Sequence, residues 1–440
     1  MDTQEFKRRR SALMRMMGTG SIAIIPSTHD KIRNRDVVYP FRQDSDFWYL
    51  TGFNEPDAVA VLIPGRKAGD YILFCRERDP ERETWDGHRA GTEGAVAEYG
   101  AADAFPIGDL DDILPGLIEG CDSVYYTMGT NPAFDQRMTG WVNELRANGR
   151  AGARTPEEFV ALEHLLHDLR LYKSRSEINA MKQAAKISME AHRRAMHKAR
   201  PGLYEYEVEA ELLGQFRAHG TREAYGSIVG SGANSCTLHY VSNNQTMNDG
   251  DLLLIDAGCE YGYYASDITR TFPVNGRFSP EQRAIYNLVL AAQKAGIDKC
   301  RAGNRFNEPH EATVQVITRG LIKLGLLKGT PARLIKEGAY KKFYMHRAGH
   351  WLGLDVHDVG DYKIAGEWRE LEPGMVLTVE PGIYIPPDTR GVAKKWWNIG
   401  VRIEDDILIT RKEPDVLTGK LIKEVKDIEA WMQKKAAIAA

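Results

Sequence analysis

The sequence predicts a two-domain α/β (α+β) chain. A smaller N-terminal α/β domain is expected over residues 1–172, and a pseudo-symmetric C-terminal domain over residues 173–440. Three observations carry this reading. Short apolar runs bounded by turn residues recur between residues 20 and about 150. A small, polar break follows them, and two matching segments then recur in the second half. At 440 residues the chain also exceeds what one hydrophobic core usually serves.

The elements follow in order. Phe6, Leu13 and Met17 stand at helical spacing, with Lys7-Arg8-Arg9-Arg10 expected on the solvated face of that helix. Ser21–Pro26, residues 58–65 and Tyr71–Cys75 read as buried strands, and residues 141–147 as helical. The break spans residues 147–156, and Pro156 suits the first turn of a helix. The second domain is expected to begin near residues 171–174. There Ser174 and Glu177 have capping-box spacing, and Ile178, Met181, Ala185 and Met189 continue a helical stripe.

Composition excludes several classes. Apolar residues at 43% and charged residues at 27% describe an ordinary globular protein. A net charge of −3 with no basic domain argues against nucleic acid as a partner. Five cysteines (Cys75, Cys121, Cys236, Cys259 and Cys300) without a CxxC argue against a disulfide framework or zinc knuckle. Reduced thiols fit a cytoplasmic protein. The longest stretch without Asp, Glu, Lys or Arg, residues 224–248, is rich in Gly, Ser and Asn, so no membrane span is expected. The N-terminus lacks the apolar core of a signal peptide. Phosphate-loop, H-E-x-x-H and G-x-S-x-G patterns are absent.

The repeated segments carry acids. Gly250-Asp251-Leu252-Leu253-Leu254-Ile255-Asp256-Ala257-Gly258 echoes Gly374-Met375-Val376-Leu377-Thr378-Val379-Glu380-Pro381-Gly382. Each is followed by a second strand-like run with a carboxylate, Asp267 in the first case and Glu404 in the second. A turn at Tyr261-Gly262 would set Asp256 directly opposite Asp267. Two bare carboxylates so placed repel, and a cation between them relieves the repulsion. Three of twelve histidines, His346, His350 and His357, crowd a Gly-rich segment, and His239 lies in the uncharged stretch. Oxygen ligands favour Mn, Mg or Ca, and added nitrogen admits Zn, Co or Fe. Four carboxylates and one imidazole suit two divalent ions that activate a water, with spare histidines donating to a developing oxyanion. That chemistry is hydrolysis.

Asp256 and Asp267, the His346–His357 stretch, Thr378-Val379-Glu380-Pro381-Gly382 and Arg402-Ile403-Glu404-Asp405 resemble the dinuclear metallopeptidases of the pita-bread fold. That group includes methionine aminopeptidase, prolidase and aminopeptidase P. Residues 39–53 (Tyr-Pro-Phe-Arg-Gln-Asp-Ser-Asp-Phe-Trp-Tyr-Leu-Thr-Gly-Phe) are similar to the N-terminal domain of bacterial Xaa-Pro aminopeptidases, so the resemblance covers nearly all of the chain.

The resemblance implies a C-terminal pita-bread catalytic domain and two divalent ions, Mn2+ first, with Zn2+, Co2+ or Mg2+ as alternatives. Asp256 and Asp267 would hold one ion, with Asp267 reaching the second. His350 and Glu380 would hold the second, and Glu404 would bridge both. Glu380 would also shuttle a proton, while His239 and His357 would steady the substrate carbonyl. His346, Tyr384 and Arg402 would line the proline pocket. Asp36 and Trp85 match positions near the substrate's N-terminus or a neighbouring subunit. Around the latter this chain reads Trp85-Asp86-Gly87-His88-Arg89, where relatives tend to read Trp-Phe-Gly-Arg-Arg. A homodimer or homotetramer is implied.

The implied activity is release of the first residue from peptides with proline second. A bond to proline is a tertiary amide without an N–H, which suits a shaped ring pocket and an activated carbonyl. Prolidase shares all five ligands but needs a cation for the dipeptide's carboxylate, a role open to Arg369 or Arg390. A metal-free binding protein on the same fold would lose ligands, and none is lost here.

Overall fold

The structure is a computed structural model that describes residues 1–436, with side chains described through residue 433. Contacts divide it into two compact units, Met1–Arg170 and Leu171–Ala440.

Apolar runs in the N-terminal unit pair into a six-stranded mixed sheet. Its order is Asp103–Pro106, Tyr71–Cys75, Val59–Leu62, Ser21–Pro26, Ser123–Tyr125 and Glu158–Val160. The middle pairs are antiparallel and the outer pairs parallel. Ile22, Ile24, Val61, Ile72 and Phe74 are fully buried and share a core with Leu114 and Trp141 of the helices Leu110–Ile118 and Pro132–Ala147.

Two expectations change here. Arg9 and Arg10 are buried rather than solvated, while Lys7 and Arg8 stay exposed. The two arginines fall on the same helical face as Phe6, Leu13 and Met17, which packs on the helix Ser45–Thr51. Arg9 and Arg10 donate to the carbonyls of Tyr49 and Leu50 at 3.0 and 2.8 Å. Pro156 opens no helix. The Asp122 carbonyl accepts from the N–H groups of both Glu157 and Glu158, which draws the chain into the edge strand Glu158–Val160.

The C-terminal unit repeats one plan. A helix pair, Arg175–Lys198 and Glu205–Ala218, precedes one hairpin system, and a second pair, Pro280–Ile297 and Glu308–Lys323, precedes the other. Ser174 and Glu177 form both bonds of the capping box that starts the first pair. In the first hairpin, Leu252–Asp256 pairs with Thr269–Pro273 and with Ile228–Ser231. In the second, Val376–Val379 pairs with Asp405–Leu408, and Gly382–Ile385 with Ile399–Arg402.

The first hairpin corrects the expected register. Its turn is centred on Gly262-Tyr263, both at positive φ (55° and 71°), and closes the pair Tyr261 and Tyr264. A two-residue turn of this kind matches the twist of its strands and requires positive φ at both central positions. Asp256 therefore pairs with Thr269, two residues beyond the expected partner. A shift of two keeps every side chain on its face, so Asp256 and Asp267 still meet.

The hairpins are clamped together. The Arg270 guanidinium, fully buried, donates to the Glu404 carbonyl at 2.5 Å, to Asp405 Oδ1 at 2.8 Å and to the Leu421 carbonyl at 3.2 Å. Around this clamp lies a core that includes Leu253, Ile255, Phe272, Tyr286, Val401 and Ile403. Among the described residues, no helix is long and apolar enough to cross a membrane.

Two stability outcomes follow from these contacts. Arg270→Met leaves Asp405 with less compensation in a dry site. It is expected to lower the unfolding free energy by about 3–5 kcal/mol, read as an earlier urea midpoint at unchanged slope. His192 is fully buried with its Nε2 2.9 Å from the Ala257 carbonyl oxygen, and burial holds its pKa down to about 4. The unfolded chain then takes up this proton near pH 6.5, before the folded one does. Stability contributed by neutral His192 is present above pH 6.5 and is lost as pH falls toward 4, by about 3 kcal/mol in all. Urea titrations of His192→Gln between these pH values should show a flatter decline than the parent.

Candidate metal centre

The site is assembled where both hairpins break. Asp256 ends a buried strand, and Asp267 lies between Tyr264–Ala265 and Thr269–Pro273. Glu380 and Glu404 occupy the matching break of the second hairpin, directly opposite one another in its register. His350 arrives on a segment laid along Val376–Val379. The Thr378 N–H donates to the His350 carbonyl at 2.9 Å, and the Glu380 N–H to the Ala348 carbonyl at 2.8 Å. Gly349 makes that approach feasible, since a Cβ there would lie 1.9 Å from the Thr378 carbonyl oxygen.

Asp267, His350 and Glu404 offer ligand atoms within 4.8 Å of one another. His350 Nε2 is 3.4 Å from Asp267 Oδ2 and 3.7 Å from Glu380 Oε1. Its Nδ1 faces the Trp351 carbonyl at 2.9 Å, which orients the ring. Asp256 stands on the far side, its Oδ2 accepting from Arg402 Nη2 at 2.5 Å. Glu404 is 1% exposed and accepts from the Thr269 hydroxyl at 2.7 Å. Oxygen donors with one imidazole, buried and crowded, form a set that fits divalent cations.

Two contributors were not foreseen. The Tyr225 hydroxyl lies 2.6 Å from both Asp256 Oδ1 and Asp267 Oδ1. A phenol has one proton, so it donates to one carboxylate at a time. Asp406, 1% exposed, accepts from the Asp267 backbone N–H at 3.2 Å. Tyr225 gives no periodic signal, and the uncharged stretch around it was its one trace. Asp406 was legible in principle, since it stands two residues beyond Glu404 in a strand-like run.

Crowding shifts the acid–base behaviour. Burial raises the Asp256 carboxyl against the pull of Arg402. Burial and then the neighbouring acids push Glu404 well above the usual range. Glu380 is raised to about 7, by burial first, with Asp267 and Asp256 adding to it. Burial alone would raise Asp267 too, but its bond to His350 outweighs this and holds it low. Burial likewise opposes the charge on His350, yet Asp267 and Glu380 lift it to about 9.

Around the acids stands a second ring of groups. His346 Nε2 is 2.9 Å from the Tyr384 hydroxyl, which also accepts from Arg402 Nη1 at 3.1 Å. Burial, then Arg402, hold His346 down to about 3, so its ring is neutral. The exposed His357 packs its ring edge-on to His350, with centroids 4.3 Å apart. Exposed His239 is near enough to His346 and His357 to disfavour their protonation, after burial. Ten of the twelve anticipated residues thus lie in the C-terminal unit around one centre. Asp36 and Trp85 belong to the N-terminal unit. Asp36 is exposed in the turn between Ile32–Asn34 and Val37–Val38, and Trp85, 85% exposed, sits on the helix Pro80–Asp86.

Known proteins are similar to this chain in sequence and fold. Residues 179–411 match the family model for metallopeptidase family M24, and residues 6–125 match that for the aminopeptidase P N-terminal domain. The chain is 45% identical to an Escherichia coli Xaa-Pro aminopeptidase, over 98% of this chain and 97% of that one. It is 36% identical to human Xaa-Pro aminopeptidase 3, over 97% and 85%. Among solved structures, Pseudomonas aeruginosa aminopeptidase PepP superposes with a TM-score of 0.98 at 62% identity, covering 99% of each chain. Escherichia coli aminopeptidase P, solved in complex with substrate, superposes with a TM-score of 0.96 at 44% identity, covering 99% of each. The folded halves, the acid cluster and these matches agree: the chain belongs to metallopeptidase family M24 and carries the N-terminal domain of the aminopeptidase P branch.

Proposed function

We propose that this protein is a metal-dependent exopeptidase that releases the N-terminal residue from peptides with proline at the second position. The observation that carries the reading is the convergence of Asp267, Glu380 and Glu404 on His350, with Asp256 joined to Asp267 through the Tyr225 hydroxyl. Those five side chains would hold two divalent ions, Mn2+ first, with Zn2+, Co2+ or Mg2+ as alternatives. Bound there, the ions would supply Lewis acidity and lower the pKa of the attacking water.

The remaining roles fall to this chain's own side chains. Glu380 would take a proton from the attacking water and pass it to the leaving proline nitrogen. His239 and His357 would donate to the substrate carbonyl as charge develops on its oxygen. Neutral His346, Tyr384 and Arg402 form a connected wall suited to a proline ring and its carbonyl. Arg402 ends the strand Ile399–Arg402 and Glu404 stands in the break two residues on, and both side chains bond the Thr269 hydroxyl. Asp36 and Trp85 would act at the substrate's N-terminus or against a neighbouring subunit, in a cytoplasmic homodimer or homotetramer.

Chelator-treated protein should be inactive and should recover with Mn2+. The restored enzyme should release the first residue from Xaa-Pro-Yaa-Yaa. Cleavage of the Xaa-Pro dipeptide alone would instead assign a prolidase, and cleavage of neither would sink the peptidase reading. Glu380→Gln should lower kcat by about 100-fold or more in steady-state assays of the Mn2+-loaded protein. Metal uptake must also displace protons from Glu380 and His350, whose pKa values are about 7 and about 9. Apparent Mn2+ affinity should therefore rise with pH across that window, with proton release in weakly buffered calorimetry. A flat profile would contradict the ligand assignment.

A further inference from the structure

The N-terminal unit holds a cleft of about 420 Å³ that the proposed reaction does not use. One wall is the helix Thr3–Met17, which presents Lys7, Arg10 and Met14. The other is formed by Asp70, Tyr71, Gly100 and Ala102.

Arg10 is the unusual member. Its side chain is almost wholly buried, at 3% exposure, and its Nη1 donates to the Leu50 carbonyl at 2.8 Å. Its guanidinium carbon lies 4.0 Å from the centre of the Tyr71 ring. Among the described residues no carboxylate pairs with it, whereas the adjacent Arg9 has Glu5 at 3.3 Å. Its Nη2 lies beside Gly100 on the cleft wall, 3.8 Å from where a Cβ would stand. A buried cation without a counter-charge is costly, and an anion that enters beside it removes the cost. Tyr71 adds a second observation, because its hydroxyl is buried and has no hydrogen-bond partner among the described residues. Lys7, exposed at the rim, adds positive charge, and the one carboxylate on the wall, Asp70, accepts from the Gly65 N–H at 3.0 Å. Met14, Ala102 and the Tyr71 ring offer an apolar wall.

We propose that this cleft binds a small organic carboxylate, with its head on Arg10 and Lys7 and its apolar body against Met14, Ala102 and the Tyr71 ring. The volume lies in the range of small-molecule sites. A fork of guanidinium donors suits a planar carboxylate.

The test uses the full-length, metal-loaded protein titrated with hexanoate in a calorimeter. One saturable site is expected. Arg10→Gln should weaken it about tenfold or more, the loss of one charge-assisted contact. Lys7 and Ala102 are exposed, so changes there leave the fold intact. Lys7→Ala should weaken binding about threefold, and Ala102→Glu should abolish it by repulsion. Peptide cleavage should be unaffected in both of these surface variants. Absence of saturable heat in the parent protein would overturn the proposal, as would binding that Lys7→Ala and Ala102→Glu leave unchanged. Inorganic phosphate binding as tightly as hexanoate would overturn the assignment to carboxylates with an apolar body.

Discussion

Four carboxylates drawn into one buried space repel each other, and the rest of the C-terminal unit is arranged around that repulsion. In a dry setting neither desolvation nor mutual repulsion is screened, which is why Glu380 and Glu404 resist ionisation. Such a cluster persists only when the backbone that carries it is held by contacts stronger than the local preference to separate. The clamp of Arg270 on the Glu404 carbonyl and Asp405 is one such contact. The Tyr225 hydroxyl shared by Asp256 and Asp267 is another.

Both hairpins solve the same problem differently. In the second, Glu380 and Glu404 face each other at the break between two paired segments. In the first, the Gly262-Tyr263 turn moves the pairing by two, so Asp267 sits beyond Asp256 rather than across from it. The halves therefore present their acids in different registers, and His350 reaches toward Asp267 and Glu380 together. The duplication supplied similar strands, and the turn made their ends unlike.

Much of this was legible in the residues. Apolar runs bounded by turns marked the strands, and the repeated pattern of glycine, apolar run and acid marked the centre. What escaped depends on where chain segments end up. Arg9 and Arg10 read as surface charge because the helix Ser45–Thr51 that covers them is some 35 residues away in sequence. Pro156 read as a helix start because nothing local announces the Asp122 carbonyl that captures the two residues after it. Tyr225 read as nothing, since one hydroxyl placed between two acids is a product of tertiary structure. The turn position was misjudged by one residue because Tyr263 takes a left-handed conformation that its residue type disfavours.

Arg402 and Glu404, on either side of the point where the strand Ile399–Arg402 ends, both reach the Thr269 hydroxyl, and that gives the centre a particular way of failing. A slip of one residue in Ile399–Arg402 against its partner would turn the guanidinium and the acid away together. The cluster would lose an acid that resists ionisation and its main fixed positive group at once, so the local charge would turn more negative as the geometry was lost. A misregistered chain of this kind would carry stray negative charge with nothing placed to use it. It would be marked both by that charge and by its inability to hold a cation.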